Sequence, residues 1–333
     1  MGPRARDGAR RVTDTHADLD AVDARIDVLA RELSNWGRWG SGDELGTLNL
    51  VTPEKRIEAA HCVRSGETIS LAFELRAGAP QAPGSPRLNP RHVMTETGTD
   101  AATNGRASGY ADDVLTMSVH AATHWDALSH VFHRGRMYND RPCTEVTSAG
   151  ASANSIVPVS RRMVTRGVLV DVARHLGLEA LAPDHEVTVD ELEAALDAQG
   201  VELHPGDALL VRTGRLGRIA AAEAWNEYTE VGDALPLEPG IGPDSLPWLH
   251  ERDVAAVASD NWAVEHLAAA NPGRLPVHEV GIVHMGLLLG ENFELDALGA
   301  ACAADGRYDF LLAAAPLPVR GGVGGAVNPV AIR

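Results

Sequence analysis

The chain has 333 residues, with 46 Asp and Glu against 29 Lys and Arg, a formal net charge of −17. Such a field repels nucleic-acid phosphates and anionic lipid, so the expected partner is a small-molecule substrate, with no nucleic acid and no membrane surface. A hydrophobic share of 44% is that of a folded globular chain, and no apolar run reaches the roughly 18 residues a membrane helix needs.

Residues 1–12 hold Arg4, Arg6, Arg10 and Arg11 against Asp7 and read as a disordered basic tail. Asp14, Asp18 and Asp20 follow where an export signal would be apolar, so the expected location is the cytoplasm. Over 13–34, Leu19, Val22, Ile26, Leu29 and Leu33 recur at spacings of 3 and 4, which predicts an amphipathic helix packed on the body or on a partner subunit. Residues 35–333 read as a single catalytic domain, entered through the aromatic loop Asn35-Trp36-Gly37-Arg38-Trp39-Gly40.

Thr52-Pro53 opens a helix running to about Arg64. Glu67–Leu75 and Val114–His120 alternate as strands, separated by a Pro- and Gly-rich excursion over 77–110 that is long enough for a lid or an interface arm. Strand and helix then alternate. Gly167–Val172, Asp207–Arg212, Val254–Ala258 and Asp309–Leu312 read as strands, Leu295–Ala303 as a helix, and Thr188-Val189-Asp190-Glu191 as a capping box opening a helix that ends at Gly200. Gly-Gly-Val-Gly-Gly at 321–325 lacks a following Lys and reads as a tight turn rather than a phosphate cradle. Cys62, Cys143 and Cys302 form no CxxC pair and read as buried free thiols. The fold class is mixed α/β.

The strongest chemical signal is His120-Ala-Ala-Thr-His124-Trp125-Asp126-Ala-Leu-Ser-His130. Imidazole and carboxylate are the ligands that Zn²⁺ or Mn²⁺ accepts, and four such groups crowd the end of a predicted strand. His133, three residues on, reads as a surface or supporting residue.

This segment resembles the signature H-x-G-T-H-x-D-x-P-x-H of the metal-dependent cyclase family, which includes bacterial kynurenine formamidase and isatin hydrolase. Ala122 and Leu128 stand where the signature has Gly and Pro. Similarity extends from about Asn35 to the C-terminus through Gly46-Thr47-Leu48-Asn49, Arg212-Thr213-Gly214, Ser259-Asp260, Glu291-Asn292 and Asn328-Pro329, as in the longer bacterial members. The resemblance implies a swivelling β/β/α domain with a barrel-like mixed sheet, usually a homodimer or homotetramer. It implies metal ligation by His120, His124, Asp126, His278 and Glu291, with His284 the rival of His278, and His130 as general acid/base.

A divalent ion with an open position lowers the pKa of water to roughly 7, and a free imidazole of pKa about 6.5 can shuttle its proton. That chemistry is hydrolysis of a C–N bond in a formamide, lactam or other small cyclic or aromatic amide. The same ion would serve a lyase or cyclase, and a non-enzymatic binding protein is the third reading. Trp125, Trp39 and Asp260 are the candidate substrate contacts. The tryptophans offer planes for a flat ring, and Asp260, after a buried strand, is placed to contact the substrate or orient a ligand histidine.

Overall fold

The computed structural model describes residues 8–78, 87–105, 107–221, 237–267 and 274–333. A nine-stranded sheet organises the chain. Its strands, in chain order, are β1 (Thr68–Ser70), β2 (His124–Asp126), β3 (Val164–Asp171), β4 (Ala208–Arg212), β5 (Ala256–Ser259), β6 (Leu288–Glu291), β7 (Asp309–Ala313), β8 (Gly324–Ala326) and β9 (Val330–Ile332). They lie in the order β1-β9-β7-β3-β4-β5-β6-β2-β8. β3 to β6 run parallel, and antiparallel pairs extend the sheet on both sides.

The parallel strands are apolar because both faces are covered. Val168, Val170, Leu209, Val211, Val257 and Leu289 pack on one side with Ile26 and Leu29 of the N-terminal helix α1 (Gly8–Glu32) and with Leu33 just after it. Leu169, Leu210, Ala258 and Leu288 pack on the other with Trp125, Phe293, Phe310 and Ile156. The period of two along each strand sorts neighbours onto opposite faces. Helix α2 (Pro53–Ala60) is capped by Thr52, and α3 (Val189–Gln199) carries the capping box and ends at Gly200 with φ 65°. No described helix is long and apolar enough to cross a membrane.

Several boundaries differ from expectation. The helix α1 begins at Gly8, so Gly8–Val12 are helical rather than tail, while residues 1–7 lie outside the described residues. α2 ends at Ala60, short of Arg64. Of the run 67–75, Thr68–Ser70 pair with the C-terminal strand β9, and Ala72 makes an isolated antiparallel bridge to Phe293. The excursion over 77–110 lies partly outside the described residues. Its described part contributes Arg91–Glu96, which pairs antiparallel with Asp112–Thr116. Every residue of that ribbon is exposed, so its alternation marks no core face, and His120 sits in a turn after it rather than at a strand end. Cys62 and Cys302 are buried free thiols, whereas Cys143 is half-buried. The glycines at 321–325 form a turn only at 320–321, and Gly324–Ala326 form β8.

Candidate metal centre

β2 lies between β6 and β8, with His124 opposite Glu291 and Asp126 opposite Gly324. His124 and Asp126 therefore share one face, and Trp125 takes the other. Before the strand the chain must reverse sharply to bring His120 back, and Ala122 does this with φ 64°. This is the position where the family signature has Gly, the residue that adopts the left-handed region without a Cβ penalty. The Ala122 carbonyl accepts from His124 Nδ1 (2.8 Å) and Asn292 Nδ2 (3.2 Å), so the strained turn also sets a tautomer that leaves His124 Nε2 free. Ala122→Gly is expected to raise stability by about 1 kcal/mol, since relief of the left-handed strain outweighs the entropy glycine adds to the unfolded chain. Thermal unfolding would check it, and a lowered midpoint would contradict it.

The other half of the centre comes from a short helix, α4 (Pro276–Val280), which continues as one π-helical turn (Gly281–Met285) and reverses at Gly286 (φ 68°) into β6. That reversal returns Glu291, at the end of β6, to His278 on α4. Gly286 packs backbone to backbone on Gly46, where a side chain on either residue would overlap the other chain segment. Asn35 holds the same element through bonds to the His284 and Met285 backbones.

The candidate ligand atoms converge. Asp126 Oδ1 lies 3.5 Å from His120 Nε2, 3.5 Å from His124 Nε2 and 3.9 Å from His130 Nε2. Asp126 Oδ2 lies 3.5 Å from His278 Nε2, and Glu291 reaches His278 Nε2 and His124 Nε2 at 3.2 Å each. Two ligands of one tetrahedral ion with 2.0–2.1 Å bonds stand about 3.4 Å apart. The His120 ring stacks on His130 at 4.0 Å and fits over Gly324, where any Cβ would overlap His120 Nε2.

Burial makes the arrangement costly without a cation. Both Asp126 oxygens and His124 Nε2 are buried with no hydrogen-bond partner among the described residues. Burial alone would lower the His124 pKa, yet Asp126 and Glu291 outweigh it and raise it to about 9. His278 is likewise pushed well up against its burial, by Asp126, Glu265 and Glu291. Against their own burial, both cluster carboxyls are held well below the usual range, Asp126 by the surrounding imidazoles and Glu291 by His124, His278 and Arg87. Burial lowers His120 to about 3 and also lowers His130. Imidazoles, ionised carboxylates and orphaned buried atoms form the donor set a divalent cation satisfies, with the proton on His124 and His278 given up as it binds.

His120, His124, Asp126, His278 and Glu291 thus come together, with His130 alongside. His284 does not join them. Its Nε2 meets His133 Nδ1 at 2.9 Å and its ring stacks on Trp36 at 4.9 Å, because the π turn rotates position 284 away from the face of 278. His133 is buried in that pair rather than on the surface. The three substrate-contact expectations are corrected. Trp125 is fully buried beneath the sheet, donates to the Ala314 carbonyl (2.9 Å) and packs edge-on to Phe293. Trp39 lies under the Arg38 guanidinium, which Asp253 holds near the start of β5, the end of the sheet opposite Glu291. Asp260 touches no ligand histidine. Its oxygens accept from Thr213 N, Thr213 Oγ1 and Gly214 N at 2.6–2.8 Å and fix the turn after β4.

Three residues near the centre carried no legible signal. Glu265 is buried and accepts from Val277 N (3.2 Å), His278 N (3.0 Å) and His278 Nδ1 (2.5 Å), which caps α4 and turns His278 Nε2 toward the cluster. Glu265→Gln leaves one acceptor oxygen for three donors, so metal affinity should fall roughly 10–100-fold in a calorimetric titration. Unchanged affinity would remove Glu265 from that role. Arg87 bonds Glu291 Oε2 (3.2 Å) and the His120 carbonyl (3.1 Å). Its guanidinium lies 5.6 Å from the ring centre of Trp262, whose buried indole N–H has no hydrogen-bond partner among the described residues.

The family model described as "Putative cyclase" matches residues 61–266, more than half of the chain. A crystal structure described as a novel cyclase is 37% identical, with a TM-score of 0.82, covering 90% of this chain and 100% of the other. Isatin hydrolase A from Labrenzia aggregata, bound to benzyl benzoate, is 19% identical with a TM-score of 0.60, covering 82% of this chain and 95% of its own. An isatin hydrolase bound to the product analogue thioisatinate is 18% identical with a TM-score of 0.60, covering 85% and 99%. No curated protein matches the chain. The curled mixed sheet flanked by helices is the architecture of these structures, and the chain belongs to the cyclase family.

Proposed function

We propose that the protein is a metal-dependent hydrolase that cleaves a C–N bond in a small cyclic or aromatic amide, formamide or lactam. The observation that carries this reading is the buried set His120, His124, Asp126, His278 and Glu291, its orphaned atoms facing inward, beside His130, whose side chain keeps 24% of its exposure. A bound Zn²⁺ or Mn²⁺ supplies Lewis acidity and lowers the pKa of water to about 7. His130 Nε2, 3.9 Å from Asp126 Oδ1 and partly exposed, takes the proton of the attacking water and returns it to the leaving nitrogen. The C–N bond breaks, C–O and N–H bonds form, and no protein nucleophile is needed. Trp262, beside Arg87, offers a flat substrate the aromatic plane expected of Trp39 and Trp125, and its indole N–H has no partner among the described residues.

The fold likeness to isatin hydrolases supports the choice of probes, which are N-formyl-kynurenine, isatin, lactams and lactones, each followed by mass. Gain of one water in the product supports hydrolysis. Product of unchanged mass, or lighter by one water, supports the cyclase or lyase reading instead.

A further inference from the structure

We propose that this chain holds a single divalent cation and that the Arg87 guanidinium takes the electrostatic place of a second. The inference rests on the metal-dependent reading above. The candidate metal-holding atoms fall into two groups that share one residue, His120 and Asp126 with His130 alongside on one side, Asp126, His278 and Glu291 on the other, and His124 Nε2 lies between them, 3.5 Å from Asp126 Oδ1 and 3.2 Å from Glu291 Oε2. Asp126 turns Oδ1 to the first group and Oδ2 to the second. A carboxylate so placed can bridge two ions of the kind found roughly 3.5–4 Å apart in two-metal hydrolytic sites.

Charge argues against filling both positions. Asp126 and Glu291 are buried carboxylates within the cluster, and Glu265, which accepts three N–H bonds, is a third against His278. The imidazoles are neutral when they offer Nε2 to a metal. Arg87 brings one fixed positive charge, seated on Glu291 Oε2 and on the His120 carbonyl, so that it touches a residue of each group. Among the described residues named here, three carboxylates and one guanidinium leave −2, which one dication cancels. A second would leave +2 in a site screened from water, where uncompensated charge is costly. Without the guanidinium the protein contributes −3, and a second dication meets no fixed cation at Glu291.

The test uses the full chain, stripped with chelator, incubated with excess Mn²⁺ and passed through a gel-filtration column. Manganese per chain is measured by plasma mass spectrometry, and ion–ion coupling by electron paramagnetic resonance. One Mn²⁺ per chain with an uncoupled spectrum is expected for the native protein and for Arg87→Lys. Two Mn²⁺ with a coupled spectrum are expected for Arg87→Met, and Arg87→Gln is read the same way should Arg87→Met not fold. Two coupled ions in the native protein, or one ion in the charge-removing variants, would overturn the proposal. Retention of no manganese by the native protein would overturn the metal-dependent reading itself, and the proposal with it.

Discussion

His130→Ala is expected to lower kcat roughly 10²–10⁴-fold while leaving the metal in place, the loss typical of removing a general acid/base. Geometry separates His130 from the ligands. Its Nε2 stands farther from Asp126 than any other imidazole of the cluster, and its ring is the one with substantial exposure. Stacking on His120 fixes the ring plane without using either nitrogen. Metal content and steady-state kinetics on the same preparation decide the point. A variant that loses both metal and turnover would make His130 a ligand, and one that keeps both would leave it no role in the reaction.

Asp126→Ala is expected to weaken divalent metal binding by more than the roughly 100-fold that loss of an outer-sphere partner can cost, and to abolish turnover. Asp126 is the one residue common to both candidate ligand groups, and its oxygens are buried with no hydrogen-bond partner among the described residues. Its removal also leaves His124 and His278 without the carboxylate that helps raise their pKa values. That coupling predicts a pH dependence. In the metal-free protein His124 titrates at about 9 despite its burial, because Asp126 and Glu291 stabilise the imidazolium. At pH 7 the ion must therefore displace protons from His124 and from His278, whose pKa is also pushed well up, and affinity should rise with pH across the range 7 to 9. Calorimetry in buffers of different ionisation enthalpy would report the released proton. Binding that is independent of pH between 7 and 9 would contradict the assignment.

Much of this was legible in the sequence, for identifiable reasons. The spacing of Leu19, Val22, Ile26, Leu29 and Leu33 gave α1 because a helix buries one stripe, and Thr188 to Glu191 gave the start of α3 because a capping box is local chemistry. The candidate ligands His120, His124 and Asp126 stood out because the three crowd one strand and its approach. His278 and Glu291 were reached through family resemblance alone, since the hairpin that joins them turns on a π-helical step and a left-handed Gly286, neither of which leaves a periodic trace. The tryptophans misled because adjacency in a strand is not adjacency in space. Trp125, between two ligands in sequence, is the residue that must face away from them. Arg87 and Glu265 sit in irregular segments, and only the folded chain shows what they touch.

The central claim is metal-dependent addition of water, and labelled water tests it most directly. Chelator-stripped protein, with and without added Mn²⁺ or Zn²⁺, would turn over an active amide in water enriched in oxygen-18. The account predicts a single oxygen-18 in the acid product of the refilled enzyme and negligible product from the stripped enzyme. Full turnover without metal, or product free of the label, would contradict it.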